Sequence, residues 1–74
     1  MSILEIELGM NPQTIGKHLV ELRGERTQAE IAKELKISVS ALSMYERGER
    51  IPRDNIKIRI AALFEKPICE IFYS

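Results

Sequence analysis

The stretch that most constrains this chain is TQAEIAKELKISVSALSMY, from Thr27 to Tyr45. Its apolar residues Ile31, Leu35, Ile37, Leu42 and Tyr45 recur at helical spacing that is interrupted once. Thr27 is a suitable N-cap for a helix running to about Leu35. Ser38 is a second cap, for a helix that reaches about Arg47 and stops at Gly48. Two caps so close together leave about three residues for the bend, so the helices are expected to cross steeply rather than run antiparallel. Ala32 sits where that crossing brings backbones together, since a larger side chain would push them apart. The residues left over on the second helix are Ser38, Val39, Ser40, Ser43 and Met44, a small and uncharged surface.

The ordered set Thr27-Gln28, Ala32, Leu35, Ile37-Ser38, Leu42 and Glu46-Arg47-Gly48, continuing through YERGERIP, resembles the helix-turn-helix of the phage repressor and Cro-like regulators, the XRE family. The resemblance covers roughly residues 15 to 73 and is far more specific than a lone helix pair. It implies an all-α, compact five-helix DNA-binding domain whose second helix of the pair lies in the major groove. It further implies that Gln28 bonds a phosphate, that Val39, Ser40, Ser43 and Met44 face base edges, and that Ser38 touches phosphate. A structural salt bridge between Arg23 and Glu46 is implied in the same way. One departure is at the turn, where Lys36 stands in place of the usual glycine and must accept a left-handed or strained backbone. Another is the linker Gly24-Glu25-Arg26, shorter than the commoner form, which tightens the corner.

Serine hydroxyls donate or accept at any base, and Val39 is suited to a thymine methyl, but none of these side chains has the bidentate geometry of arginine on guanine. Readout is therefore expected to lean on methyl contacts, water and DNA shape. Methionine at helical spacing is more often packing than recognition, and that alternative stands for Met44.

Formal net charge is zero, yet the charge is segregated. Between Arg47 and Arg59 lie five basic residues, Arg47, Arg50, Arg53, Lys57 and Arg59, against the acids Glu49 and Asp54. That excess follows the reading helix, where phosphates would run, and Arg47, Arg50 and Arg53 are assigned to them. On charge alone a solvated helix face explains the same residues. Other carboxylates are spaced to pair with neighbours, as Glu30 is with Lys33.

With 74 residues the chain is one domain, divided into an N-terminal strand or arm over 1–11 and the helical domain over 12–74. No apolar run approaches the ~18 residues of a membrane span, and the acidic N-terminus lacks a leader pattern, so a cytoplasmic location is expected. Cys69 has no cysteine to pair with and reads as a small buried hydrophobe in a reducing compartment. Residues Ile3 to Leu8 alternate, with Leu4, Ile6 and Leu8 on one side and Glu5 and Glu7 on the other. Such a strand would pair with its copy in a second subunit; a packed arm or an extra helix are the alternatives.

Asn11 and Pro12 open a helix to Arg23, with Ile15, Leu19 and Leu22 facing inward and Gly24 closing it. Pro52 and Asp54 favour a start near Asp54 for a helix to Phe64, with Ile56, Ile60, Leu63 and Phe64 facing the core. A last helix over Pro67 to Tyr73 offers Ile68, Ile71 and Phe72 as an apolar face. That face and the strand face of Leu4, Ile6 and Leu8 are the two candidate dimer surfaces.

Catalysis has no named site. His18 is the only histidine and lies at metal-ligand spacing from no second ligand, so neither an enzyme nor a metal or cofactor is expected. The expected function is a sequence-specific double-stranded DNA-binding regulator that is nearly the whole protein, a repressor acting as a homodimer on a palindromic operator. A protein-interaction module of the same fold, bound to a toxin or antirepressor partner, is the alternative.

Overall fold

The computed structural model describes residues 11–73, and among them every regular element is a helix. In chain order they are α1 (Pro12–Arg23), α2 (Gln28–Leu35), α3 (Val39–Glu46), α4 (Asp54–Phe64) and α5 (Ile68–Phe72). None of them is long and apolar enough to cross a membrane. The expected strand with Leu4, Ile6 and Leu8 lies outside the described residues.

Local chemistry sets the helix starts. Asn11 Oδ1 accepts from the amides of Gln13 and Thr14 at 3.0 and 3.2 Å. Thr27 Oγ1 accepts from Glu30 N at 3.1 Å, and Ser38 Oγ from Ala41 N at 3.0 Å. Each hydroxyl or amide oxygen satisfies a donor that the first helical turn cannot.

Three helix ends share one device. α2, α3 and α4 are each followed by a left-handed residue, Lys36, Gly48 and Glu65, at φ 59°, 75° and 54°. The amide after it turns back to the carbonyl five residues earlier: Ile37 N to Ala32 O at 3.0 Å, Glu49 N to Met44 O at 2.9 Å, Lys66 N to Ala61 O at 3.1 Å. Only one of the three has glycine; Lys36 and Glu65 adopt the conformation with a Cβ.

Ile15, Leu19, Ile31, Ala32, Leu35, Leu42, Tyr45, Ile56, Ile60, Ile71 and Phe72 form one core, with Leu22, Leu63, Phe64 and Ile68 packed at its edge. α1 packs on α3 and α5, α2 on α3 and α4, and α4 on α5. Two expectations about the last helix are corrected here. Ile71 and Phe72 are 2% and 1% exposed, so they close the monomer's own core and are not a dimer surface. Ile68 is half-buried against the same core. Cys69 is exposed rather than buried, because it stands at the margin of the face formed by Ile68, Ile71 and Phe72 and outside the core they close.

Two polar contacts seat α5. His18 Nδ1 on α1 donates to Ile71 O at 2.8 Å. Lys57 Nζ, on a buried side chain of α4, donates to Tyr73 Oη at 3.3 Å and lies 5.6 and 5.3 Å from the ring centroids of Phe72 and Tyr73.

Candidate nucleic-acid interface

α3 is divided lengthwise. Leu42 and Tyr45 are buried, whereas Val39 is 46% exposed and Ser40 is exposed, with Ser43 and Met44 half-buried between them. An eight-residue helix can present two faces this way because residues three and four apart align, and here one aligned set is apolar. The outer set offers two hydroxyls, an isopropyl group and a thioether to whatever approaches.

Glu46, the last residue of α3, ties that helix to both earlier ones. Its Oε2 accepts from Arg23 Nε at 2.7 Å and its Oε1 from Arg23 Nη2 at 3.1 Å, a two-pronged pair. Oε1 also accepts from Gln28 Nε2 at 2.8 Å. The Glu46 side chain is only 5% exposed, so these bonds replace the water it has lost. The hydrogen bond to Glu46 raises the Arg23 pKa above its ordinary value; burial opposes this, and the Glu46 charge adds to it. Arg23 Nη1 donates in addition to Arg26 O at 2.8 Å, fixing the corner before α2.

Gln28 therefore has a structural partner as well as its assigned place at the start of α2. The amide nitrogen carries two hydrogens, and one of them serves Glu46. The other hydrogen and the carbonyl oxygen are what it can offer outward.

The arginines after α3 are arranged less uniformly than their sequence spacing suggests. Arg47 Nε lies 2.7 Å from Glu49 Oε2 in an exposed ion pair, which water and a competing phosphate can readily exchange. Arg50 is exposed, and Arg53, also exposed, occupies the N-cap position of α4 with no side-chain cap bond. Of the other two in this basic run, Lys57 is buried against Phe72 and Tyr73, while Arg59 is exposed and donates Nη1 to Leu35 O at 3.1 Å. The basic excess open to a partner is thus narrower than the residue count. Among the side-chain pairs, Arg26 meets Glu34 at 3.7 Å and lies over the Phe64 ring.

One residue that positions the site was not singled out from the sequence. Gly16, on α1, lies against the end of α3 so closely that a Cβ would stand 2.4 Å from Glu46 O and 2.9 Å from Tyr45 O. The available signal was a glycine inside an otherwise regular helical pattern, which marks a close backbone approach.

Two short capped helices joined by a tight left-handed turn, the second presenting a small polar face and braced by the first helix of the domain, constitute a DNA-binding helix-turn-helix. A family model described as Helix-turn-helix matches residues 19–71, and the chain belongs to that family, the XRE-type helix-turn-helix regulators. No curated protein and no solved structure gives a significant match to the chain.

Proposed function

We propose that this protein is a sequence-specific transcriptional repressor that acts as a homodimer on a palindromic duplex operator, with half-sites about 34 Å apart. The observation that carries the reading is the division of α3, where Val39, Ser40, Ser43 and Met44 look outward from a helix whose other side is held by Leu42, Tyr45 and Glu46. In this reading Val39 packs on a thymine methyl, the serine hydroxyls bond base edges directly or through water, and Ser38, Gln28, Arg47, Arg50 and Arg53 hold the phosphates. An eight-residue reading helix with small side chains discriminates few bases, so twofold repetition of the site supplies the specificity that one copy lacks. The protein binds and does no chemistry on the duplex, needs no cofactor, and works in the cytoplasm where its operator is.

Selection from a random duplex library at physiological salt, followed by salt titration of the winning site, tests the reading. Enrichment of a palindrome, with affinity falling steeply as salt rises, is the expected result. If no sequence is enriched, the DNA reading of these residues fails and a protein partner for the same face becomes the explanation.

A further inference from the structure

We propose that Arg59, on α4, is a positioning residue for the reading helix: it sets the turn between α2 and α3 from outside the helix pair, rather than contacting DNA. This rests on the DNA-binding reading of α3 given above. The last four carbonyl groups of any helix have no amide partner within it. At the end of α2, Lys36 N returns to Lys33 O at 3.2 Å and Ile37 N to Ala32 O at 3.0 Å. Leu35 O, the final carbonyl of the helix, accepts instead from Arg59 Nη1 at 3.1 Å.

That bond has two effects. It places a permanent positive charge at the negative end of the α2 dipole, where a cation is favoured. It also fixes the peptide that leads into Lys36, the residue held at φ 59° and ψ 43° without glycine's freedom. From Lys36 only Ile37 intervenes before Ser38, the cap of α3, and Val39 follows at once. A shift in the Leu35 to Lys36 peptide is therefore carried into the α3 axis within three residues, with no flexible segment to absorb it. Base-edge contacts depend on that axis, whereas phosphate contacts by long exposed side chains tolerate small tilts. Arg59 closes the basic run that follows the reading helix, and although its side chain is exposed, Nη1 of its guanidinium is engaged at the turn.

The test compares Arg59→Met, which keeps much of the stem but no donor, with Arg59→Lys, which retains a cation and a donor. Three quantities are read: affinity for the selected duplex, affinity for a scrambled duplex of equal length, and the salt slope of each. Arg59→Met is expected to weaken the selected duplex about tenfold, the worth of one such hydrogen bond, while scrambled-duplex affinity and both salt slopes stay at wild-type values. Arg59→Lys should recover part of the loss. Amide exchange at Lys36 and Ile37, measured without DNA, is expected to accelerate in Arg59→Met while exchange in α1 and α5 is unchanged.

Equal loss on both duplexes, with the slope reduced by about one, would make Arg59 a phosphate contact and overturn the proposal. Wild-type affinities and wild-type turn exchange in Arg59→Met would overturn it as well, as would uniform acceleration of exchange in every helix. Should the wild-type protein fail to distinguish the two duplexes, the repressor reading falls, and exchange at Lys36 and Ile37 alone decides whether Arg59 holds the turn.

Discussion

Gly16 and Glu46 meet backbone to backbone: a Cβ on Gly16 would lie 2.4 Å from the Glu46 carbonyl oxygen, inside any tolerable contact. α1 and α3 therefore approach to a separation that only glycine permits at this point. Gly16→Ala must push the last turn of α3 outward or strain α1, and neither neighbour is a flexible side chain that can swing aside. The expected cost is about 1–3 kcal/mol of stability despite alanine's better helix propensity, read from the urea midpoint. A gain in stability would mean that the two helices separate without penalty.

The Arg23 and Glu46 pair gives a second prediction, with a pH signature. Arg23→Met leaves the enclosed Glu46 carboxylate with Gln28 as its remaining named donor. The loss should be roughly 2–3 kcal/mol, below the full cost for a buried pair because the Arg23 side chain keeps a fifth of its surface in water. The Arg23 pKa is raised in the folded state, first by its hydrogen bond to Glu46. A raised folded value stabilises fully below the unfolded pKa and fades only as pH climbs through the folded one. The stability difference between wild type and Arg23→Met is therefore expected to stay flat between about pH 6 and pH 10 in denaturant titrations, and a decline across that range would contradict the assignment.

Lys36 gives a prediction of opposite sign. Its left-handed backbone carries a Cβ penalty that glycine avoids, partly offset by glycine's greater freedom in the unfolded chain. Lys36→Gly is expected to stabilise by about 0.5–1 kcal/mol, visible as a higher melting temperature. Glu65→Gly, at the equivalent place after α4, should behave alike. Gly24 is the contrast, because its φ of 58° and ψ of −127° lie where a Cβ is not accommodated, so Gly24→Ala should destabilise.

Ser38 separates folding from binding. Ser38→Ala removes the oxygen that accepts from Ala41 N and should cost about 1 kcal/mol in chemical denaturation. Ser38→Asp keeps a cap and adds favourable charge at the start of α3, so stability should hold or rise, yet duplex affinity should fall as the carboxylate meets phosphate. Unchanged affinity in Ser38→Asp would remove Ser38 from the interface. Gln28→Ala is a less clean probe than the sequence suggests, since it also strips a hydrogen bond from Glu46.

The helices were legible because their signals are local. Asn11, Thr27 and Ser38 act within three residues of themselves, and the inward faces of α1 to α4 follow from spacing alone. The strained turn at Lys36 was legible through the resemblance, which places glycine there. What escaped depends on elements distant in sequence. Nothing near Arg59 indicates Leu35, and a lysine at position 57 gives no hint that Phe72 and Tyr73 will cover it. The last helix shows the limit of periodicity: Ile68, Ile71 and Phe72 define an apolar face correctly, but a face does not say whether its own domain or another chain covers it. The same pattern places Cys69 off that face, a signal that low overall polarity obscured.

The lengthwise division of α3 has an evolutionary consequence. Substitutions at Val39 and Ser40 fall on the side that carries none of the core, while Leu42, Tyr45 and Glu46 bear the cost of any change in the scaffold. A lineage can therefore redraft the outward residues, and with them its target, without first acquiring compensating mutations in the bundle. Divergence between duplicated copies of such a gene is expected to begin on that outward side.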